Sequence, residues 1–474
     1  MKSLRNLIIA AITINLYCFA INFTLAEEIQ QTVKENQPQE IVSEVLLNLE
    51  EEPQVYSLNL EESLNLAMDN NNQFNIQKEE TKIYKIKAQK SALSFLPHLS
   101  ATMSLDYQSN IAKIGEDDTI RIPGIGPISL AGFMYDDHWK RYNAVSATQP
   151  VTGMYRLYHW RRIASLSFEK ALLEEELAGE KLALNVYYYY FKVLLSKYQL
   201  EAYQKNVHEL ETYQKIAQAR FDEGSSIKRD VQKIQVELDS SRYNVFVKEN
   251  EYKNSLNRLK NILGIPQNSI LEINQSFENL SNTLPEEEAI RQAIENNQKI
   301  KQLELDVKIA THAKKEQFGR YIPEVNVSTT YFNQSGMDYM AKNDFLLSIN
   351  MEFNFFDWGK RELSIKQKQH EINQASLNLK DYLENIEIEI KEKYSKVQEA
   401  KMLTDVSENA VRLAEKNVEI SSLRYKNGLQ IIADVLSDQS QLSKARADYY
   451  QALFNEQAAI AELKQAMGIL VSAH

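Results

Sequence analysis

Two periods of apolar residues divide this chain. In short stretches apolar and polar side chains alternate: Leu99, Ala101, Met103, Leu105 and Tyr107 interleave with Ser100, Thr102, Ser104, Asp106 and Gln108. Val325, Val327, Thr329 and Tyr331 interleave in the same way with Asn326, Ser328 and Thr330, and Leu347, Ile349, Met351, Phe353 and Phe355 with Ser348, Asn350, Glu352 and Asn354. A period of two predicts strands with one apolar and one polar face. A fourth stretch, Tyr142–Gln149, alternates less cleanly and is inferred mainly from duplication. Elsewhere the period is helical. Ile365, Ile372, Leu379 and Ile386 recur every seventh position, joined by Leu383, Ile390 and Val397, a repeat that keeps an apolar seam against neighbouring helices. Tyr155–Glu223 holds one glycine, Gly179, and no proline. As a single helix it spans roughly 100 Å at about 1.5 Å per residue, longer than any ordinary globular core.

The pattern occurs twice. Leu58-Asn59-Leu60-Glu61-Glu62 opens a helix running to about Phe95, and Leu284-Pro285-Glu286-Glu287-Glu288 opens its copy running to about Tyr321. Acidic first turns suit helix N-termini. Asn70-Asn71-Asn72 matches Asn296-Asn297, and Leu96-Pro97 matches Ile322-Pro323. Arg220-Phe221-Asp222-Glu223-Gly224 and Arg424-Tyr425-Lys426-Asn427-Gly428 each lead to an Asp-Val pair, Asp230-Val231 and Asp434-Val435. Glycine reaches positive φ without steric cost, so each copy predicts the tip of a long antiparallel helical hairpin. Between Pro97 and Gly153 the first half carries about twenty more residues than the second does between Pro323 and Gly359, so this is a tandem duplication with one enlarged loop, Ser109–Lys140.

The expected organisation is a signal peptide over 1–26, an acidic leader over 27–55 and a first repeat over 56–270. That repeat holds strands at about 98–108 and 142–151 and helices at 155–223 and 227–263. After a linker at 271–283 comes a second repeat, 284–474, with strands at about 324–332 and 345–356 and helices at 358–427 and 431–467.

Composition narrows the class. Tyrosine is abundant, at 25, while proline (9) and glycine (13) are scarce among 474 residues, a mixture suited to long helices. A net charge of −11 argues against nucleic acid, which needs a cationic face. Lys2 and Arg5, the apolar run Leu7–Leu25 and the sequence Thr24-Leu25-Ala26 make a secretory signal. The competing reading, a membrane anchor, is countered by Asn15 and Asn22 within the run. Cys18 is the only cysteine; it lies inside the signal, after Tyr17 rather than the small residue that lipid attachment needs. The mature chain thus has no thiol, which suits an oxidising compartment. The seven histidines (His98, His138, His159, His208, His312, His370 and His474) show no metal-ligand spacing. Tyr187-Tyr188-Tyr189-Tyr190-Phe191 reads as helix packing, since consecutive helical positions point in different directions. Pro123-Gly124-Ile125-Gly126-Pro127 lacks the strand-to-helix context and lysine of a phosphate loop. No pattern of an enzyme or of a bound cofactor is recognisable.

No segment after the signal offers the run of about 20 apolar residues that a membrane helix needs. The alternating segments, however, are about ten residues long, the length that crosses a bilayer as tilted strands. Asp106 and Glu352 fall on the polar face, as suits a water-filled lumen. Membrane barrels start at about eight strands, and an open edge in lipid leaves unpaired backbone groups. Other copies of the chain must therefore complete the wall, and two or three copies both satisfy the count. The competing class is a secreted or cytosolic coiled-coil scaffold whose strands form a small soluble domain.

Taken in order and in duplicate, these motifs resemble the TolC-like outer-membrane efflux proteins, or outer-membrane factors. The residues that carry the resemblance are the paired helix starts, the Leu-Pro and Ile-Pro steps into strands, and Gln149-Pro150-Val151-Thr152-Gly153 with Phe355-Phe356-Asp357-Trp358-Gly359. The hairpin tips, Leu263-Gly264-Ile265 and Met467-Gly468-Ile469 complete the set. The resemblance covers about Leu58–Leu470. It implies a mainly α fold with a membrane β-barrel part: a homotrimer with a twelve-stranded barrel and a periplasmic α-helical tunnel. The implied partners are a periplasmic adaptor and an inner-membrane pump or ABC exporter, and the implied function is a passive exit duct for small molecules or for type I protein secretion. A passive uptake channel is the further alternative.

Carried over residue by residue, Asp434 matches an aspartate whose three copies ring the closed periplasmic end, and Tyr425 a tyrosine in the bonding that holds it shut. Gln430 stands where the best-known member has an arginine, and Ser437 where it has a second aspartate, with Asp438 adjacent. At residue level, Asp434 equally suits support of its own helix start. Gly224, Ser225, Gly428 and Leu429 are the expected adaptor-docking tips. Glu223-Gly224-Ser225 is more polar than the apolar tips common in the family.

Overall fold

A computed structural model describes residues 54–109, 119–129, 136–224, 227–274, 284–337 and 341–470. The expected signal with Cys18, all but the end of the leader, Ser225, most of the linker and parts of the enlarged loop lie outside the described residues.

Two compact units are distinguished. The first takes the described parts of Met1–Asn71, Asn185–Asn279 and Leu403–Asn455, and the second those of Asn72–Leu184, Leu280–Met402 and Glu456–His474. The long helices α3 (Met154–Asp222) and α7 (Lys360–Lys426) contribute residues to both, as does α8 (Ile432–Ala466).

In the first unit, strand β1 (Val55–Leu58) pairs in parallel with β6 (Ile270–Ile273), placing Val55 opposite Ile270 and Leu58 opposite Ile273. The sequence reading anticipated neither strand, because four residues are too few to display a period. Helix α1 (Leu60–Asn70) starts with a capping box: the Asn59 side chain accepts from the Glu62 N–H, and Glu62 Oε2 accepts from the Asn59 N–H, both at 2.8 Å. Helix α4 (Lys228–Leu263) ends at Gly264, whose φ is 69°. Buried polar bridges join the long helices, including Ser196 Oγ to Ser255 Oγ at 2.8 Å, and the Tyr198 and Tyr450 rings stack at 5.1 Å. Of the tyrosine run, Tyr187, Tyr190 and Phe191 are buried, and Tyr188 stands edge-on to Phe454 at 5.2 Å.

The second unit contains α2 (Asn72–Leu93), α5 (Glu286–Asn296), α6 (Gln298–Phe318) and a four-stranded antiparallel sheet. Each opening helix, expected as continuous, is broken, at Asn71 and at Asn297. Both asparagines leave the helical region (ψ 117° and 114°) and turn their amides to other backbone. Asn71 Nδ2 donates to Ile262 O at 2.8 Å, while Asn297 Nδ2 donates to Ala466 O at 3.5 Å and Asn297 Oδ1 caps Lys299 and Ile300. Asparagine favours caps over helix interiors for this reason. Ala289, Ala293, Ile300, Ile386, Ile390, Val397, Ile460, Leu463 and Met467 form one core, and each large aliphatic side chain fully buried there contributes about 1.5–3 kcal/mol. Ile386, Ile390 and Val397 are the residues expected to face a helical neighbour.

The sheet order is β2 (His98–Tyr107), β5 (Asp136–Pro150), β7 (Glu324–Met337), β8 (Asn343–Glu352), so the repeats join through β5 and β7. Both central strands exceed their expected length. Beyond a bulge between Asp136 and Arg141, β5 provides partners for Ser335 and Met337, extending β7 into a stretch read as loop. Pro123–Pro127, also read as loop, forms the turn of a hairpin, β3 (Thr119–Ile122) with β4 (Gly126–Ser129). Strand β8 stops at Glu352, short of Phe353–Phe356.

Candidate gate at the helix-hairpin tips

Helix α7 ends at the second tip. The Gly428 N–H donates to Tyr425 O at 3.0 Å and the Leu429 N–H to Arg424 O at 2.8 Å, with Gly428 at φ 73°. Two such bonds closing over a left-handed glycine form a Schellman end. At the first tip Gly224, φ 75°, donates to Phe221 O at 2.9 Å. A Cβ built on either glycine meets nothing within 4 Å, so backbone conformation, not space, selects the residue.

Behind the tips Tyr213 and Ala217 of α3, Ile234 of α4, Tyr425 of α7, and Ile432 and Val435 of α8 make a buried cluster. The Arg220 guanidinium lies 4.7 Å from the Tyr425 ring centroid, and its Nη2 donates to Lys426 O at 2.6 Å. Burial pushes the Tyr425 phenol above its ordinary pKa, against the pull of the Arg220 charge, with Asp230 adding to the rise. Further along, Asn206 Nδ2 donates to Ser241 Oγ at 2.8 Å, and Gln439 Nε2 donates to Asn206 Oδ1 at 3.0 Å and to Glu209. These residues lock four helix ends into one body.

Asp434 sits in the first turn of α8 and is exposed; its N–H donates to Ile431 O at 3.2 Å. Ser437, one turn on, is exposed and accepts from Gln441 Nε2 at 3.5 Å. Gln430 is half-buried just before the helix. Within one chain Tyr425 therefore faces the buried cluster, whereas Asp434 and Ser437 occupy the outer face of α8. Leu429 and Ile431 are 77% and 64% exposed, an apolar end with no cover. The contribution of Arg220 was missed; its place beside Phe221, matching Arg424 beside Tyr425, was the available signal.

In the sheet, strand register carries Asp106 and Glu352 to one face. Asp106 is opposite Lys140, and Glu352 opposite Glu324. The other face is apolar in rows, such as Leu99–Ala147–Thr329–Leu347 and Ala101–Val145–Tyr331–Phe345. Leu99, Met103, Leu105, Leu347, Ile349 and Met351 on it are 63–81% exposed. His159 and His312, far apart in sequence, meet with Nδ1 atoms 2.9 Å apart.

Glycine-tipped helical hairpins joined to an amphipathic sheet with two free edges define a channel-forming outer-membrane protein. The chain belongs to the outer membrane efflux protein family, whose sequence profile matches residues 69–265 and 289–469. It is 22% identical over 300 residues to the outer membrane protein TolC of Vibrio cholerae serotype O1, an alignment covering 61% of this chain and 68% of that one. The fold is similar to the outer membrane channel CmeC of Campylobacter jejuni (TM-score 0.72, 16% identity, 87% of this chain and 86% of that one). It is likewise similar to the outer membrane protein VceC of Vibrio cholerae (TM-score 0.70, 15% identity, 86% and 96%).

Proposed function

We propose that three copies of this chain close a twelve-stranded barrel and a helical tunnel, a passive exit duct across the outer membrane and periplasm. The observation that carries this reading is the sheet: β2 and β8 are both unpaired edges, and the apolar face is bare. In lipid, each unsatisfied backbone group costs several kcal/mol, so edges must meet edges of other copies. The stripe Met402, Val406, Leu413 and Ile420 on α7, 52–70% exposed, supports side-by-side packing of the helical parts. The signal over 1–26 delivers the chain to the periplasm.

The exposed tips, Gly224 and Ser225 with Gly428 and Leu429, are the docking points for a periplasmic adaptor, which couples the duct to an inner-membrane pump or ABC exporter. Asp434 lines the closed end, with Gln430 and Ser437 alongside and Tyr425 bracing the helix ends from behind. Asp106 and Glu352 face the barrel lumen. Energy comes from the inner-membrane partner.

Light scattering of the purified protein in detergent tests the assembly. The expected protein mass is three times that of the chain, with sodium carbonate failing to release the protein from outer membranes. A monomer that stays in aqueous solution would defeat the proposal.

A further inference from the structure

The sheet ends at the pair Glu324–Glu352, yet the apolar alternation of β8 runs on. Phe345, Leu347, Ile349 and Met351 are followed in the same register of sequence by Phe353 and Phe355, and all six are between 45% and 81% exposed. Phe356 and Trp358 come next, 59% and 83% exposed, their rings in a T-shaped contact at 4.8 Å.

Trp358 is the sole non-glycine with positive φ among the described residues, at 58°, and Gly359 follows at 77°. A bulky residue in that region is strained and persists only where its surroundings impose it. The surroundings are here. Arg361 Nε donates to Asp357 Oδ2 at 2.9 Å, and the Lys360 and Leu363 N–H groups donate to Asp357 O and Gly359 O at 3.2 and 3.1 Å. The backbone is pinned while the indole is held out. The counterpart in the first repeat is built differently: Thr152 accepts from the Val325 N–H at 2.7 Å and donates to Pro323 O, stitching it into the sheet.

We propose that Phe355, Phe356 and Trp358 form an anchor seated at the polar–apolar boundary of the membrane on the helix side, with lipid as its partner. Two observations select lipid. The cluster continues the apolar face of the sheet without a break, and exposed Lys360 follows it immediately, a cation matched to lipid phosphate. From Phe345 to Phe355 the strand direction covers about 33 Å, which at a tilt of about 40° gives the roughly 25 Å apolar band of a membrane barrel. That places Trp358 at headgroup depth, where an indole's apolar body and polar N–H are both satisfied.

This assignment rests on the reading that the sheet's apolar face meets lipid, so the test separates the two. In the full chain, Trp139→Phe and Trp160→Phe leave Trp358 as the single indole, and the protein is reconstituted in phosphatidylcholine vesicles. A companion carries Ile349→Trp together with Trp358→Phe in the same background. The expected result is Trp358 emission quenched several-fold more by lipid spin-labelled near the headgroup than by aqueous iodide, and the Ile349→Trp companion quenched most by lipid labelled at the chain end. If the companion is quenched by lipid while Trp358 responds only to iodide, the anchor is overturned and the membrane sheet stands. If Trp358 responds to neither, a protein surface covers it and the anchor is again overturned. If lipid quenches neither protein, the membrane reading of the sheet falls as well.

Discussion

Gly264 and Gly428 look alike in sequence, each ending a helix, and both adopt left-handed backbone, φ 69° and 73°. Their surroundings differ. A Cβ at Gly264 would strike the backbone carbonyl of Asn70, whereas one at Gly428 meets open space. Gly428→Ala therefore loses only the left-handed preference, about 1–2 kcal/mol, and Gly264→Ala should cost at least twice as much as that same roughly 1–2 kcal/mol. Parallel denaturant titrations of the two variants give the comparison; equal losses would contradict it. Sequence was sufficient to place both glycines, because positive φ has a residue-type signature. It was silent on Trp358, since nothing in a tryptophan announces that its backbone is left-handed. The setting of Tyr425 was half legible: its duplicated motif marked the residue, but the Arg220 guanidinium above its ring is supplied by another helix.

Between elements, the junction of α3 and α6 depends on two imidazoles. His159 and His312 share one hydrogen bond, so one ring donates and the other must accept with a neutral nitrogen. Burial lowers both pKa values below the ordinary 6.5; Lys315 adds to the lowering for each, His159 and Arg162 further depress His312, and Glu316 partly opposes the effect at His159. Tyr155 and Tyr158 stand edge-on to His159 at 4.6 and 5.1 Å, and Arg156 Nε reaches Glu316 Oε1 at 3.1 Å. The unfolded chain thus binds more protons than the folded one below pH about 6.5. Stability should be level above that pH, fall as pH drops towards the folded pKa values, and flatten beneath them. Melting curves of wild type and a His159→Gln/His312→Gln variant at pH 7.5 and 5 measure this; the variant should lose less on acidification, and parallel losses would refute the role. Long helices and amphipathic strands were readable because each repeats its period several times. The breaks at Asn71 and Asn297, the short β1–β6 pair and the histidine contact were not, since each is fixed by a partner distant in sequence.

At the scale of the molecule, duplication and amphipathic strands pointed to a wall that one chain cannot close, and the family match agrees with that class. The gate belongs to this scale too. Asp434 is exposed on α8 with its carboxylate on the outer face, so any ring it forms is made between copies rather than within one. Converging carboxylates attract cations and repel anions. In planar bilayers Asp434→Ala should lose cation preference and weaken divalent block on the order of tenfold, with unchanged selectivity and block counting against the ring.

The hairpin β3–β4 exists in the first repeat alone, where the second has a short turn between β7 and β8. A threefold assembly of doubled chains is nearly sixfold in its wall, but this outgrowth breaks that pseudosymmetry at the rim. An antibody fragment raised against residues 119–129 should thus saturate at three per pore, leaving the alternate gaps bare.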